Sequence, residues 1–324
     1  MDVMCEGPLC VDELSLKHVR VLGRGTYGSV SLEEHPINGF YAKKTSSMHV
    51  KENLEKELRI MHRFRNHPRI VQASSDSIHL DLSMIFDECH IYMEYASEGT
   101  LLEKISALQG KPLPENVIGR STRMILQGLE ALHSRGYVHC DLKPANVLLF
   151  PSTTLGDPWD VKLADFGLSK EPNTDPRSMF AGTKKYMSPE SVGPDGLIGP
   201  ALDIWSLGCM VYEMFGGKAI EMGDSYEWRL DQDISPVTKD FLRLCHTMHP
   251  LSRASATELL NHPFITQRNS IPRPIPTRSP IRQQDLTFAL MFTRRICGPL
   301  PTPIGPTRRQ QEATEMVPRY KLWG

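Results

Sequence analysis

Five short stretches of the 324-residue sequence carry side chains whose types and order suit phosphate chemistry. GRGTYGSV (23–30) places glycines at 23, 25 and 28, where missing side chains let backbone N–H groups approach the oxygens of a triphosphate. Alone, such a triplet is often just a glycine-containing hairpin. The dinucleotide-binding version needs a helix straight after the glycines, whereas SVSLEEHPINGFYAKK reads as two further strands, which argues against a dehydrogenase. Lys44 in FYAKK could neutralise α and β phosphates, and Glu57 could hold it as an ion pair. Taken singly, both read as solvated surface charges, with Lys43, Lys51 and Lys56 close by. Asp141 and Asn146 in HCDLKPAN and Asp165 in LADFGLS add a proton acceptor for a hydroxyl substrate and two oxygen donors, Asn146 and Asp165, for magnesium. An isolated DFG means little; the order and spacing of the whole set give it weight.

The elements that must position these groups are legible as patterns. Residues 18 to 50 alternate apolar with polar residues around glycines, the pattern of consecutive antiparallel strands. KENLEKELRIMHRF follows, with Leu54, Leu58 and Met61 at helical spacing, and should stop near NHP, where the residue before Pro68 is pushed out of helical geometry. SIHLDLSMIF and CHIYMEYA read as two more strands, completing a small sheet with one helix. After Gly99 the pattern turns helical. PENVIGRSTRMILQGLEALHSRG carries Ile118, Ile125, Leu129 and Leu132 on one face, with Gly136 as a C-terminal cap. DIWSLGCMVYEMF is apolar nearly all round, as expected of a buried helix, and Ser255 and Glu258 have capping-box spacing before LLNHPF.

Composition narrows the class further. A chain that is 40% hydrophobic and this long can build one large core or two, which excludes collagen, coiled coil and global disorder. A formal net charge of -1 gives no reason to expect nucleic acid or an anionic membrane as a partner. The 7 cysteines form no C-x-x-C pair, favouring a reducing compartment over a disulfide framework or a zinc site. The N-terminus is acidic where a signal peptide would be basic then apolar, and no stretch approaches membrane-spanning length. The expected location is therefore cytoplasmic and/or nuclear. No internal repeat is evident. Beyond about residue 267, proline and arginine dominate without periodicity, the composition of a disordered tail.

Together the motifs resemble those of eukaryotic protein kinases, over residues 18 to 266. The match comprises the glycine loop, Lys44, Glu57, HCD, Asn146, DFG, SPE (188–190), DIWSLG (203–208) and Arg253, all in family order. The resemblance implies an α+β, two-lobed protein kinase fold: a small antiparallel sheet lobe with one main helix (18–96) and a larger, mostly helical lobe (97–266). An N-terminal extension (1–17) and the tail (267–324) flank it. ATP, with Mg2+, would sit between the lobes against Leu22, Gly23, Arg24, Gly25, Gly28, Val30, Ala42, Lys44, Leu148 and Asp165. Met93 would guard the back of the adenine pocket, and Glu94 to Ala96 would offer backbone hydrogen bonds to the purine. Asp141 would orient the attacking hydroxyl. Lys143 matches the position from which serine/threonine kinases meet the γ-phosphate, and Thr183 matches their substrate-platform threonine, so tyrosine specificity is not expected. Glu190 and Arg253 look like the family's architectural buried ion pair.

GTKKYMSPESV and KDFLRLCHTMHPLSRASATELLNHPFI resemble mitogen-activated protein kinase kinase kinases, particularly compact plant-type ones, whose substrates are kinases one tier down. A Ste20-like branch and a pseudokinase-like scaffold stay open as alternatives; the joint presence of Lys44, Asp141, Asn146 and Asp165 argues for activity. Three departures stand out. The 215–240 region is shorter than in the family, PSTTLGDPWD (151–160) is a longer link, expected as a surface hairpin loop, and Cys140 replaces the arginine that usually meets an activation-loop phosphate. Cys140 reads either as a small buried filler or as a redox switch, which would need a depressed pKa. Either way, activity should depend only weakly on a phosphate at Thr174 or Ser178. The tail is basic and reads as a solubilising extension or as a docking segment for a downstream mitogen-activated kinase, with Arg294 and Arg295 preceding Ile296 and Leu300. Ser279–Pro280 and Thr302–Pro303 fit the minimal site of proline-directed kinases.

Overall fold

A computed structural model describes residues 15–25, 28–82, 87–174, 182–192, 196–222, 225–230 and 233–266. The tip of the glycine loop, Ser178 and the whole tail, with its docking and proline-directed motifs, lie outside the described residues.

The chain opens with a five-stranded antiparallel sheet in the order β1-β2-β3-β5-β4, built from β1 (Lys17–Gly25), β2 (Gly28–His35), β3 (Gly39–Ser47), β4 (His79–Leu82) and β5 (Asp87–Glu94). The alternation read from the sequence is thus realised as ladders. β1 pairs with β2 from Lys17↔Glu34 to Gly25↔Gly28, so the glycine loop is the hairpin between them and not a strand-to-helix turn. Gly28 is required by close approach: a Cβ there would collide with the carbonyl of Thr45 on β3.

Helix α1 (Lys51–Arg63) packs on this sheet through Leu54, Leu58, Ile60 and Met61, with Glu57 on the same buried face. It ends at Phe64, and Asn66, at φ 65°, turns the chain before Pro68. The segment that follows is stitched on both sides by backbone bonds. Val71 N–H donates to the Leu163 carbonyl (2.9 Å), Leu163 N–H to Arg69 (2.9 Å) and Ser74 N–H to Tyr92 (2.8 Å).

The larger lobe holds α2 (Leu101–Ala107), α3 (Glu115–His133), β6 (Val147–Phe150), β7 (Asp160–Leu163), α4 (Pro200–Met214), β8 (Lys218–Met222), β9 (Ser225–Arg229), α5 (Pro236–Cys245), α6 (Ala256–Leu260) and α7 (Pro263–Thr266). Ile118, Ile125, Leu129 and Leu132 of α3 are all fully buried, and Gly136, at φ 78°, turns the chain after the helix. α4 is buried on nearly every side, as an all-round apolar helix must be. Ser255 and Glu258 form a reciprocal capping box on α6; Thr100 and Glu103 form a second one on α2 that the sequence reading passed over. Residues 151–159 are the expected surface loop, joining β6 to β7. The short 215–240 region contains an antiparallel hairpin, β8 with β9. No helix among the described residues is long and apolar enough to cross a membrane.

Candidate active site

Two clusters of side chains face each other across the junction of the lobes. In the upper one, Lys44 projects from β3 and its ammonium donates to Glu57 Oε2 (2.6 Å) and Asp165 Oδ1 (2.8 Å). The pair proposed from order and spacing is therefore formed, with a third member 121 residues further on. Burial opposes the charge on Lys44, but the Glu57 and Asp165 carboxylates outweigh it and hold the ammonium well above the usual lysine range. Burial pushes the Glu57 carboxyl up, with Lys44 pulling back. Asp165, whose side chain is 44% exposed, sits below the ordinary carboxylate value because Lys44 outweighs its desolvation. Its backbone has φ 66°, a left-handed conformation uncommon outside glycine.

The lower cluster surrounds Asp141. Its Oδ1 accepts from Thr183 Oγ1 (2.8 Å) and Thr183 N–H (3.2 Å); its Oδ2 accepts from Lys143 Nζ (2.6 Å) and Asn146 Nδ2 (3.2 Å). Lys143 also donates to Thr183 Oγ1 (3.0 Å), closing a triangle. Hydrogen bonding to Asp141 uses the amide nitrogen of Asn146 and leaves its carbonyl oxygen as a donor to a cation. With the exposed carboxylate of Asp165, that is an all-oxygen donor set of the kind hard divalent cations take, so the residues fit such an ion. When bound with ATP, the cation would neutralise charge on the phosphate oxygens.

The loop bearing Asp141 is held from below by a residue whose part the sequence motif did not reveal. Asp203, at the start of α4 and fully buried, accepts from His139 N–H (2.8 Å), Cys140 N–H (3.0 Å) and His133 Nε2 (2.8 Å). These bonds hold Cys140 at φ 69°, a conformation costing about 1–3 kcal/mol for a non-glycine residue. The Cys140 side chain lies in a small apolar cluster with Val138 and Ile198. Burial, then the nearby Asp203 carboxylate, drives its thiol far above the ordinary value. A thiolate is disfavoured, so the filler reading fits and the redox switch does not.

The groups assigned to the nucleotide line up along the strands. Gly23, Arg24, Gly25 and Gly28 belong to the β1–β2 hairpin; Leu22, Val30 and Leu148 are half-buried against the core, and Ala42 and Met93 are buried cross-strand partners. Ala96 is buried in the segment between the lobes. The Glu94 N–H donates to the Gln72 carbonyl (3.1 Å), so what Glu94 can offer a purine is its carbonyl oxygen. Thr174 is exposed and donates to the Glu171 carbonyl (2.7 Å), while Glu171 pairs with Arg59 on α1. Away from these groups, a cavity of about 420 Å3 lies on the outer side of α1, lined by Lys51, Leu58, His62 and Ile78 among others. Glu190 and Arg253 form a double-pronged pair (2.5 and 2.9 Å), and Arg253 also reaches the Ala201 carbonyl (2.7 Å).

Lys44, bound by both Glu57 and Asp165, and the Asp141–Lys143–Thr183 group are what transfer of a phosphoryl group to a hydroxyl requires. The chain belongs to the protein kinase family: the model of the protein kinase domain matches residues 16–265. It is a protein serine/threonine kinase and resembles mitogen-activated protein kinase kinase kinases. It is 32% identical over 272 residues to mitogen-activated protein kinase kinase kinase 20 of Arabidopsis thaliana, covering 76% of each chain. With mitogen-activated protein kinase kinase kinase 17 of the same plant it shares 32% identity over 83% of this chain and 75% of the relative. With mitogen-activated protein kinase kinase kinase 5 the figure is 31% over 86% of this chain, which spans only 41% of that longer relative.

Proposed function

We propose that this kinase works as a mitogen-activated protein kinase kinase kinase, phosphorylating serine or threonine on kinases one tier down, with Mg2+ as the cation. The observation that carries the chemistry is the Asp141–Lys143–Thr183 triangle. Asp141 is the one carboxylate there placed to receive a hydroxyl proton, Lys143 adds a positive charge beside it, and Thr183 keeps the carboxylate oriented. Lys44 is positioned by Glu57 to meet phosphate oxygens, and Asn146 and Asp165 hold the cation. The similarity to plant relatives over three quarters of the chain supports the tier.

Regulation follows from Cys140. Where an arginine would grip an activation-segment phosphate, the thiol offers neither charge nor a bidentate fork. The basic tail is proposed to dock a downstream mitogen-activated kinase, which would then phosphorylate Ser279 and Thr302; phosphopeptide mapping that found both bare would remove that element. Location in the cytoplasm and/or nucleus is proposed from the thiols, and imaging of a fluorescent fusion checks it. The main test is ATP-dependent transfer to a panel of kinase-kinases, with Asp141→Ala as control. Transfer to kinase-kinases by the natural protein alone is expected. Equal signal from both proteins would overturn the mechanism, and transfer only to kinases of the tier above would favour the Ste20-like reading.

A further inference from the structure

Glu94 ends β5, where the chain leaves the sheet lobe for the helical one. Its side chain is more heavily engaged than an ordinary surface carboxylate. Oε1 accepts the Gln72 backbone N–H (2.7 Å), and Lys162 Nζ on β7 donates to both oxygens (2.7 and 2.6 Å). The two side chains are 27% and 17% exposed, and the ammonium also lies 4.8 Å from the centroid of the Phe150 ring. Gln72 is itself braced. Its side-chain amide donates to the Ile70 carbonyl (2.7 Å) and its side-chain oxygen accepts the Asn66 N–H (2.7 Å) just past α1. A solvated ion pair adds little net stability and fixes little in place. Here one carboxylate joins three elements: the loop after α1, the crossing between the lobes, and β7.

The position of β7 gives this junction its meaning. Lys162 is three residues before Asp165, and the residue between them and the loop, Leu163, is bonded through its backbone to both Arg69 and Val71. One side of the junction therefore carries the backbone assigned to the purine, Glu94 to Ala96. The other carries the carboxylate assigned to the phosphates and their cation. On that assignment the two ends of a nucleotide would lie on opposite sides of the Glu94–Lys162 pair.

We propose that Glu94 and Lys162 are positioning residues, a clamp that holds the lobe crossing in register with β7, the strand leading to Asp165, and so preserves nucleotide affinity. This rests on the assignment of the cleft to ATP. Without the clamp, only a fraction of molecules has the crossing in register, and apparent affinity falls by that fraction. Once nucleotide is bound, the competent arrangement is selected again, so turnover at saturation is preserved. The expected signature is a split between affinity and turnover.

The experiment uses the full chain with Lys162→Met, which keeps the apolar stem, Glu94→Gln, and Lys162→Arg as the conservative rescue. ATP affinity is read by calorimetry, KM and kcat by phosphoryl transfer, and the nucleotide-free protein by amide exchange. Lys162→Met and Glu94→Gln are expected to weaken ATP binding about tenfold and raise the ATP KM to match, and Lys162→Met should keep kcat within about twofold. Exchange should quicken at residues 94–99 but not in α4, and Lys162→Arg should restore affinity to within about twofold. Unchanged affinity in both variants would overturn the proposal. So would exchange quickened throughout the domain with kcat and affinity falling together, or an arginine variant no better than methionine. A natural protein that binds ATP but transfers phosphate to no kinase would refute the proposed function and leave the clamp standing, because calorimetry and exchange read it without turnover.

Discussion

Asp141 and Cys140 are neighbours in one loop, both buried, and their surroundings differ in kind. Asp141 receives four hydrogen bonds, from Lys143, Asn146 and two atoms of Thr183. Cys140 packs with Val138 and Ile198, and its thiol donates to the Val138 carbonyl at 3.6 Å. The backbone treats them as one unit, anchored by Asp203. The loop thus keeps Asp141 hydrogen-bonded while the position next to it, where the resemblance implied an arginine, is filled with apolar packing. On the proposed reading, catalytic competence and phosphate control are separable, because they would depend on different side chains carried by the same backbone.

The largest effect should come from the charged side of that contrast. Asp141→Asn is expected to lower kcat by about a thousandfold, as loss of a positioned proton acceptor does, with the melting temperature held. Rates within tenfold of the natural protein would break the comparison. Next comes a charge that is structural: Arg253→Met strands the Glu190 carboxylate and should cost roughly 3–5 kcal/mol in denaturant unfolding. Turnover per folded molecule should be unaffected, in contrast to Asp141.

A smaller effect tests whether the neutral interior behaves as Cys140 implies. His246 lies against Cys209 Sγ (3.7 Å) and burial pulls its pKa down to about 4. Its folded value lies below its unfolded value, so the unfolded chain binds the extra proton between them. Stability is then intact above about pH 6.5 and falls as pH drops from there toward 4, by up to about 3 kcal/mol. Chemical unfolding across that range should show the slope, and His246→Leu should flatten it. The smallest effect is expected at the phosphate-sensing position. Joint substitution of Thr174→Ala and Ser178→Ala should leave kcat/KM within about twofold, since Cys140 offers no guanidinium to read a phosphate. Abolished activity in a folded double variant would end the claim that control and catalysis are separated.

The candidate site groups were readable because each lies in a short motif whose internal spacing carries it; the structure joins Lys44 with Glu57 and Asp165, and Asp141 with Lys143, Asn146 and Thr183. Helices were readable where burial imposes a period, as on α3, and at caps such as Ser255. Contacts between residues far apart and without a shared pattern were not. Lys162 and Glu94 are separated by 68 positions, and each alone looks like a solvated charge. Asp203 was noticed as part of a motif, but its grip on the Cys140 backbone depends on a positive φ that a cysteine does not advertise. The β8–β9 hairpin was not read from the 215–240 region, although Tyr226 and Trp228 alternate with Ser225, Glu227 and Arg229 along β9.

The loop between β6 and β7 offers a practical port into the molecule. Its root is fastened by Asp160, which accepts from Thr153 Oγ1 (2.7 Å) and Arg69 (2.8 Å), and by Arg120, which reaches the Gly156 carbonyl (2.6 Å) and pairs with Asp157. Trp159 is buried, whereas Leu155 is fully exposed. Lengthening a loop whose ends are already fixed costs only about 0.6 kcal/mol per doubling. An affinity tag, a fluorophore or a whole reporter domain spliced at Leu155 would therefore ride on the kinase with little energetic burden.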